Sequence, residues 1–193
     1  MTQCAIERFN RSACNRYVEL PLSVEQSPRI FVLLLRQDDP RKCTAAKLAK
    51  FRLAQPLYKL RQVPHRSIVL NPFADQPLLS RDRNNVLSSG LVAIDCSWEK
   101  VQTAFASRLP GVSRRLPTLL AANPVNYARL HKLSSLEALA ASLHIMGFKE
   151  KSAQLLSIFK WGPTFLTLNE QPLNAYESAG DETALAKAES EFF

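Results

Sequence analysis

The chain has 193 residues, enough for one domain or two small subdomains, and its 46% hydrophobic and 22% charged residues are ordinary for a globular protein. The net charge is +8, but residues 177–193 hold five acids and one base, which leaves residues 1–176 near +12. A basic body of this kind favours a polyanionic partner such as a nucleic acid, with a merely solvated basic surface as the alternative.

Residues 1–28 are polar and irregular and are predicted to form an N-terminal extension. The first twenty residues lack a long apolar run, which argues against a secretory signal. The longest clean apolar run, residues 30–35, is far too short to cross a membrane. It predicts a strand that is buried on both faces. We therefore expect a cytoplasmic protein with no membrane partner.

Strand-like and helix-like segments alternate along the rest of the chain. Strands are predicted at 30–35, 67–70 and 90–94, a loop at 72–89, a β-like segment at 117–122, and helices at 45–53, 98–107, 135–146, 150–159 and 164–168. The residues from 177 onward are expected to be frayed or disordered. This order predicts an α/β fold with a mostly parallel sheet, flanking helices and a helical C-terminal half.

Ligands of open parallel sheets collect beyond the carboxyl ends of the strands. Here those ends lead into residues 37–44, 71–72 and 95–98, and residues 123–135 are expected to join them. The sequence has no glycine-rich dinucleotide or phosphate motif, no known hydrolase motif and no C-x-x-C pair for zinc. Taken singly, Thr44, Asp95 and Trp98 also have structural explanations as a helix cap, a turn residue and a core aromatic. Ser134, Ser135 and Glu137 are explained as helix-start residues.

A basic segment is a stronger signal than any of these single residues. Between Arg36 and Arg66 nine bases stand against two acids. Phe51 and Tyr58 interleave with them as candidate stacking groups, a combination that suits a phosphate backbone with unpaired bases. A charged helix face in water is the alternative. The bases expected to bind RNA are Arg41, Lys42, Lys47, Lys50 and Arg52. Lys47 and Lys50 are predicted to share one side of a helix, with Arg52 as a candidate third member.

Five motifs in order carry a resemblance to a known family. They are "DDPRKCTAAKL" at 38–48, "LNP" at 70–72, "GLVAIDCSW" at 90–98, "RLPTLLAANPVNYARLHKLSSLEALAASL" at 115–143 and "FKWGPTFLTLN" at 159–169. Together they resemble the ribosome-biogenesis aminocarboxypropyltransferases of archaea and eukaryotes, over roughly residues 30–176.

The resemblance implies a SPOUT-like knotted fold, an exception to the rule that chains avoid knots. It implies S-adenosylmethionine as the cofactor, and transfer of its 3-amino-3-carboxypropyl group to N3 of an N1-methylated pseudouridine. The implied partner is small-subunit rRNA or a pre-ribosomal particle. The protein itself is expected to act as a monomer. The alternatives are aminocarboxypropyl or methyl transfer to a tRNA nucleotide, and a non-catalytic ribosome-assembly factor.

The resemblance also places the cofactor. It implies that Leu70, Pro72 and Trp98 wall the adenine side, with Leu116, Leu133 and Ala138 opposite. Main-chain groups of Leu116 and His131 would read the adenine edge, and the Ile94 carbonyl would hold the ribose. Thr44 and Ser135 would bind the amino-acid carboxylate, and Trp98 and Val101 would enclose the methyl group so that the propyl carbon meets the nucleophile.

Asp95 would then lie near the transferred chain, where it either holds the ammonium group or helps to deprotonate the base. Three positions depart from the family: Ala128 stands where a glycine is usual, and His131 and Val101 are also atypical. The implied organisation is an extension (1–28), an α/β half with a basic RNA-binding face (29–115), a mostly helical half that completes the cofactor site (116–176) and an acidic tail (177–193).

Overall fold

A single parallel sheet organises the molecule. The structure is a computed structural model that describes residues 27–35, 43–96, 105 and 109–193. Its strands are β1 (Ile30–Leu34), β2 (Gln55–Leu57), β3 (Ile68–Leu70), β4 (Leu91–Asp95) and β5 (Val112–Arg114). They pair in the order β2-β1-β4-β3-β5, and every pairing is parallel. The predicted parallel sheet is confirmed. The two outermost strands, β2 and β5, were not predicted, because three residues of mixed polarity carry no periodic signal.

The helices account for most of the chain after β5. They are α1 (Thr44–Lys50), α2 (Arg83–Ser89), α3 (Ser135–Ile145), α4 (Lys149–Leu156), α5 (Gly162–Leu168), α6 (Glu170–Ser178) and α7 (Glu182–Phe192). The helical C-terminal half is thus confirmed. In the residues that the structure describes, no helix combines the length and the apolar character needed to cross a membrane.

Two local predictions are wrong, and a third is not tested. The expected loop at 72–89 ends in α2, whose apolar content is too low to show a helical period. The β-like segment at 117–122 forms no strand and contributes only an isolated bridge between Leu120 and Leu130. The helix predicted at 98–107 lies almost wholly outside the described residues.

The two faces of the sheet differ in what covers them. Successive strand residues point to opposite faces, so Val32 and Ala93 join the larger apolar cluster with α1 and α3, while Leu33 and Ile94 join a smaller one. Helix α3 packs against β4, α1, α4 and α6. It is apolar nearly all round because it is surrounded. The C-terminal helices therefore form one layer on a single face of the sheet.

The acidic C-terminus is ordered, so the expectation of a frayed tail is wrong. Asp181 caps α7 by accepting from the Ala184 amide at 2.8 Å. Leu185 is buried in the larger cluster. The Glu189 carboxylate accepts from both the amide and the hydroxyl of Thr118, at 2.7 and 3.0 Å. The acids of the C-terminal segment thus cap the amphipathic helix α7 and tether it to Thr118. Composition alone does not reveal these roles.

Candidate functional site

The carboxyl ends of the strands meet at one edge of the sheet, as predicted. The pairing of β1 with β4 places Leu34 beside Asp95. The pairing of β3 with β5 places Leu70 beside Arg114, two residues before Leu116. The three predicted loops that follow β1, β3 and β4 therefore start from a common edge, whereas the fourth, 123–135, follows no strand.

The Asp95 carboxylate is held between two helices at this edge. The Cys43 thiol donates to Oδ2 at 3.0 Å, and the Ser135 hydroxyl donates to Oδ1 at 3.1 Å. Cys43 immediately precedes α1, and Ser135 is the first residue of α3. The N-termini of both helices, and with them Thr44 and Ser135, therefore converge on one carboxylate.

Cys43, rather than Thr44, caps α1. Its sulfur accepts from the Ala46 amide at 3.1 Å while its thiol donates to Asp95. Burial, and then the hydrogen bond to Asp95, raise the pKa of Cys43 to about 12. The thiol consequently stays protonated at neutral pH, where it orients the carboxylate and is a poor nucleophile. Thr44 is left as the first helical residue, with its side chain half-buried.

Glu137 holds together two segments next to the site, residues 122–123 and the start of α3. It is fully buried, and one oxygen accepts from the amides of Ala122 and Asn123 at 2.6 and 2.9 Å. The second oxygen accepts from the Asn123 side-chain amide and from the amide and hydroxyl of Ser134, each at 2.7 Å. Glu137 completes a capping box with Ser134, as its spacing predicts. It also ties the 122–123 segment to the start of α3.

Four of the side chains expected to wall the adenine belong to, or pack against, the larger apolar cluster. Leu70 belongs to the larger apolar cluster, and Leu116, Leu133 and Ala138 pack against it while staying partly accessible. Pro72 is exposed and follows the end of β3 by two residues. Leu70, Leu116, Leu133 and Ala138 come from three distant stretches of the chain and share this apolar cluster.

Two of the positions expected to act through the main chain, Ile94 and His131, lie among the described residues. Ile94 turns its side chain to the opposite cluster. It also lies beyond the last paired residues of β3 and β4, Val69 and Val92. His131 has a left-handed backbone with φ 55°. Trp98 and Val101, the expected methyl pocket, lie outside the described residues.

The basic segment is only partly as predicted. The Lys47 ammonium lies over the Phe159 ring, 4.9 Å from its centroid. Its charge is therefore partly engaged in a cation–π contact within the fold. Lys50 is the last residue of α1, and Arg52 follows the helix with φ 58°. The shared helix side therefore holds at most for Lys47 and Lys50, since Arg52 is not helical. Lys50 and Arg52 are both exposed, while Arg41 and Lys42 lie outside the described residues.

Several residues that build the site were not singled out from the sequence. The Asn169 side chain pairs with the Leu120 main chain in both directions, at 2.8 and 2.9 Å. Asn169 closes the "FKWGPTFLTLN" motif, so this motif holds the 116–122 segment in place. The signal that the sequence offered for Asn169 was a polar residue at the end of an apolar motif. Cys43 and Asn123 gave no signal, because their partners are distant in sequence.

The chain is similar to several known proteins. The family described as "Ribosome biogenesis protein, C-terminal" matches residues 68–193. The 16S rRNA aminocarboxypropyltransferase of Vulcanisaeta distributa is 44% identical over 156 residues, which cover 80% of this chain and 84% of that protein. The protein of the same name from Methanosphaera stadtmanae is 40% identical over 165 residues, covering 85% and 96%.

A solved structure is also similar. It is the SAM-dependent rRNA:acp-transferase Tsr3 from Vulcanisaeta distributa, with a TM-score of 0.76 and 38% sequence identity. The match covers 85% of this chain and 97% of that one.

Proposed function

Because this chain belongs to the ribosome biogenesis protein family, we propose that it transfers the 3-amino-3-carboxypropyl group of S-adenosylmethionine to small-subunit rRNA. The observation that carries the proposal is the convergence of α1 and α3 on Asp95, with Leu70, Leu116, Leu133 and Ala138 sharing one apolar cluster. An amino acid joined to a nucleoside needs polar groups of these kinds at one end and apolar groups at the other.

The donor set fits the amino-acid end. The first amides of a helix have no partner within it, and the positive end of its dipole favours a carboxylate. Thr44 and Ser135 begin α1 and α3, while the cap bonds use the amides of Ala46 and Glu137. The Thr44 and Ser135 amides would therefore bind the carboxylate. When bound, the sulfonium of S-adenosylmethionine makes its attached carbons electrophilic.

We assign Asp95 to holding the ammonium group. Its two oxygens accept from neutral donors of Cys43 and Ser135. Such donors favour the ionised carboxylate, which suits a partner cation better than proton uptake. A fixed ammonium and a fixed carboxylate together orient the propyl chain, and orientation decides which electrophilic carbon is attacked. Trp98 and Val101 would complete this selection by enclosing the methyl group.

The acceptor is proposed to be N3 of an N1-methylated pseudouridine. Lys50 and Arg52 are exposed next to Phe51, which is 56% exposed, on the side of the sheet where β2 is the edge strand. Cations and aromatic rings together suit an RNA backbone with unpaired bases. With rRNA as the acceptor, we place the protein in the cytoplasm as a monomer.

The fold proposal is a SPOUT-like knot. After β3 the chain at 76–78 hydrogen-bonds with Arg115, and the following segment is fixed through Asn169 and Glu137. A segment held from both sides in this way suits threading through the loop before it. Stretching single molecules from both ends should leave a chain shorter than its full contour if the knot is present.

The group that moves is tested with two labelled cofactors. We expect carboxyl-carbon label from S-adenosylmethionine to enter undermodified small-subunit rRNA, and methyl label to stay out. The measurement is label in purified rRNA, followed by mass spectrometry of its nucleosides. Methyl label in the RNA would instead make this a methyltransferase. Carboxyl label in tRNA alone would keep the reaction and replace the acceptor, and no label anywhere would favour an assembly factor.

A ligand pair serves as the control for Asp95. Methylthioadenosine lacks the aminocarboxypropyl group but keeps the adenine and ribose. Asp95→Asn should weaken S-adenosylmethionine in calorimetry and leave methylthioadenosine unchanged. If both ligands bind the variant normally while transfer is lost, Asp95 acts on the base instead.

A further inference from the structure

The segment between Asn123 and Lys132 carries a second exposed apolar surface. We propose that its Val125, Tyr127 and Leu130, the loop surface, form a platform on which an unpaired base of the RNA stacks. Arg129 would contact the adjoining phosphate. The inference rests on the proposed function for its choice of RNA as the occupant.

The exposure of this surface is unusual for an ordered segment. Val125 is 80% exposed, Tyr127 59% and Leu130 41%. Three large apolar side chains within six residues are costly to hold in water, and exposed apolar patches commonly mark binding sites. Their burial on binding would recover that cost.

The loop surface is held rigid by hydrogen bonds. At its base the Asn123 side-chain amide donates to the Lys132 carbonyl at 3.3 Å and to Glu137 at 2.7 Å. Within it, the Ala128 amide donates to the Ala121 carbonyl at 2.7 Å, and the Arg129 carbonyl accepts from the Ala121 amide at 3.0 Å. A platform fixed in advance loses little entropy when a base stacks on it.

Strain in the backbone supports the same conclusion. Ala128 and His131 both have left-handed backbones, with φ 59° and 55°. Such residues cost free energy, and they persist where the surroundings enforce a particular shape. The fold thus keeps Tyr127 and Leu130 exposed at a cost in stability.

The position of the surface relates it to the transfer site. Glu137 binds both Asn123, at the start of the loop, and Ser134, next to the Ser135 that donates to Asp95. The loop is therefore rooted in the wall of the site. Chemistry at a ring nitrogen requires the base to leave its stack, and an extruded base or its neighbour then needs a new stacking partner.

Charge favours RNA over an apolar protein partner. Between residues 116 and 136 the chain contains Arg129 and Lys132 and no acid. Arg129 is exposed beside Tyr127 and Leu130. Aromatic stacking next to a cation is the chemistry by which proteins hold single-stranded nucleic acid.

The test compares Tyr127→Ala with two matched variants. Tyr127→Phe keeps the ring, and Phe193→Ala removes another exposed aromatic side chain, at the far C-terminus. The RNA is an unmodified transcript of small-subunit rRNA carrying 2-aminopurine beside the target nucleotide. We expect Tyr127→Ala to lose about 10- to 100-fold in RNA affinity and to abolish fluorescence quenching. Tyr127→Phe and Phe193→Ala should retain both, and all three should bind S-adenosylmethionine like the wild type.

The outcomes separate this inference from the proposed function. Normal RNA affinity and quenching in Tyr127→Ala would overturn the loop surface even if the wild type transfers the group. Tyr127-dependent quenching in a protein that transfers nothing would support the loop surface and count against the enzyme. Weakened binding to pre-ribosomal particles with unchanged affinity for naked RNA would point to a ribosomal protein instead and overturn the inference.

Discussion

Two surfaces of this molecule expose aromatic and basic side chains together, and they are built differently. The edge surface consists of Lys50, Phe51, Arg52 and Tyr58, around the end of α1 and the edge strand β2. The loop surface has fewer charges and three exposed apolar or aromatic side chains where the edge surface has two, and a buried carboxylate anchors it. The edge surface thus suits attraction of a polyanion from a distance, and the loop surface suits placement of one base. This comparison suggests that the edge surface supplies affinity for RNA, while the loop surface positions a single base.

The most severe way to break the comparison is to remove the anchor. Glu137→Ala leaves five donor groups of Ala122, Asn123 and Ser134 without their acceptor, and the three on Ala122 and Asn123 are buried. We expect a loss of about 3–5 kcal/mol in the free energy of unfolding, because unsatisfied buried donors keep their full desolvation cost. Denaturant titration measures it.

A surface carboxylate provides the control for this loss. Glu182 pairs with Arg81 in an exposed salt bridge at 3.2 Å, and Glu182→Ala should cost at most about 1 kcal/mol. Equal losses in the two variants would show that Glu137 does not anchor the loop surface. In a protein that still folds, Glu137→Ala should impair the loop surface before the edge surface.

The second prediction sharpens the electrostatic side of the comparison. Replacing Lys50 and Arg52 together with Ala should lower RNA affinity about 25-fold at 0.1 M salt, and flatten the salt slope by about 1.4, if each makes one phosphate contact. Titrations at several salt concentrations measure both quantities.

Lys47 provides the internal comparison, because its cation already lies over Phe159. Lys47→Ala should change the salt slope less than Lys50→Ala. Tyr127→Ala should lower affinity without changing the slope at all. A slope that depends equally on Tyr127 and Lys50 would remove the division between the two surfaces.

The sequence predicted one of these surfaces and missed the other for a physical reason. Dense charge around Lys50 is local in the chain and can be seen without a fold. The rigidity of the loop surface depends on Glu137, whose partners stand up to fifteen positions away. The buried strands were predicted for the same local reason, whereas β2 and β5 depend on neighbours in space. Cys43 could not be linked to Asp95 across 52 positions without the parallel pairing of β1 with β4.

The smallest expected effect concerns the strain in the loop surface. Ala128 has φ 59°, a conformation that costs an L-residue about 1–2 kcal/mol and glycine little. The unfolded state of a glycine variant gains about 0.4–1 kcal/mol of entropy in return. Ala128→Gly should therefore raise the free energy of unfolding by up to about 1 kcal/mol. Ala153→Gly, at an exposed position inside α4, should lower it by about 0.5–1 kcal/mol. Opposite signs in denaturant titrations would show that the loop surface is held under strain. The same negative sign in both would mean that the left-handed backbone at Ala128 costs less free energy than the entropy that glycine adds to the unfolded state.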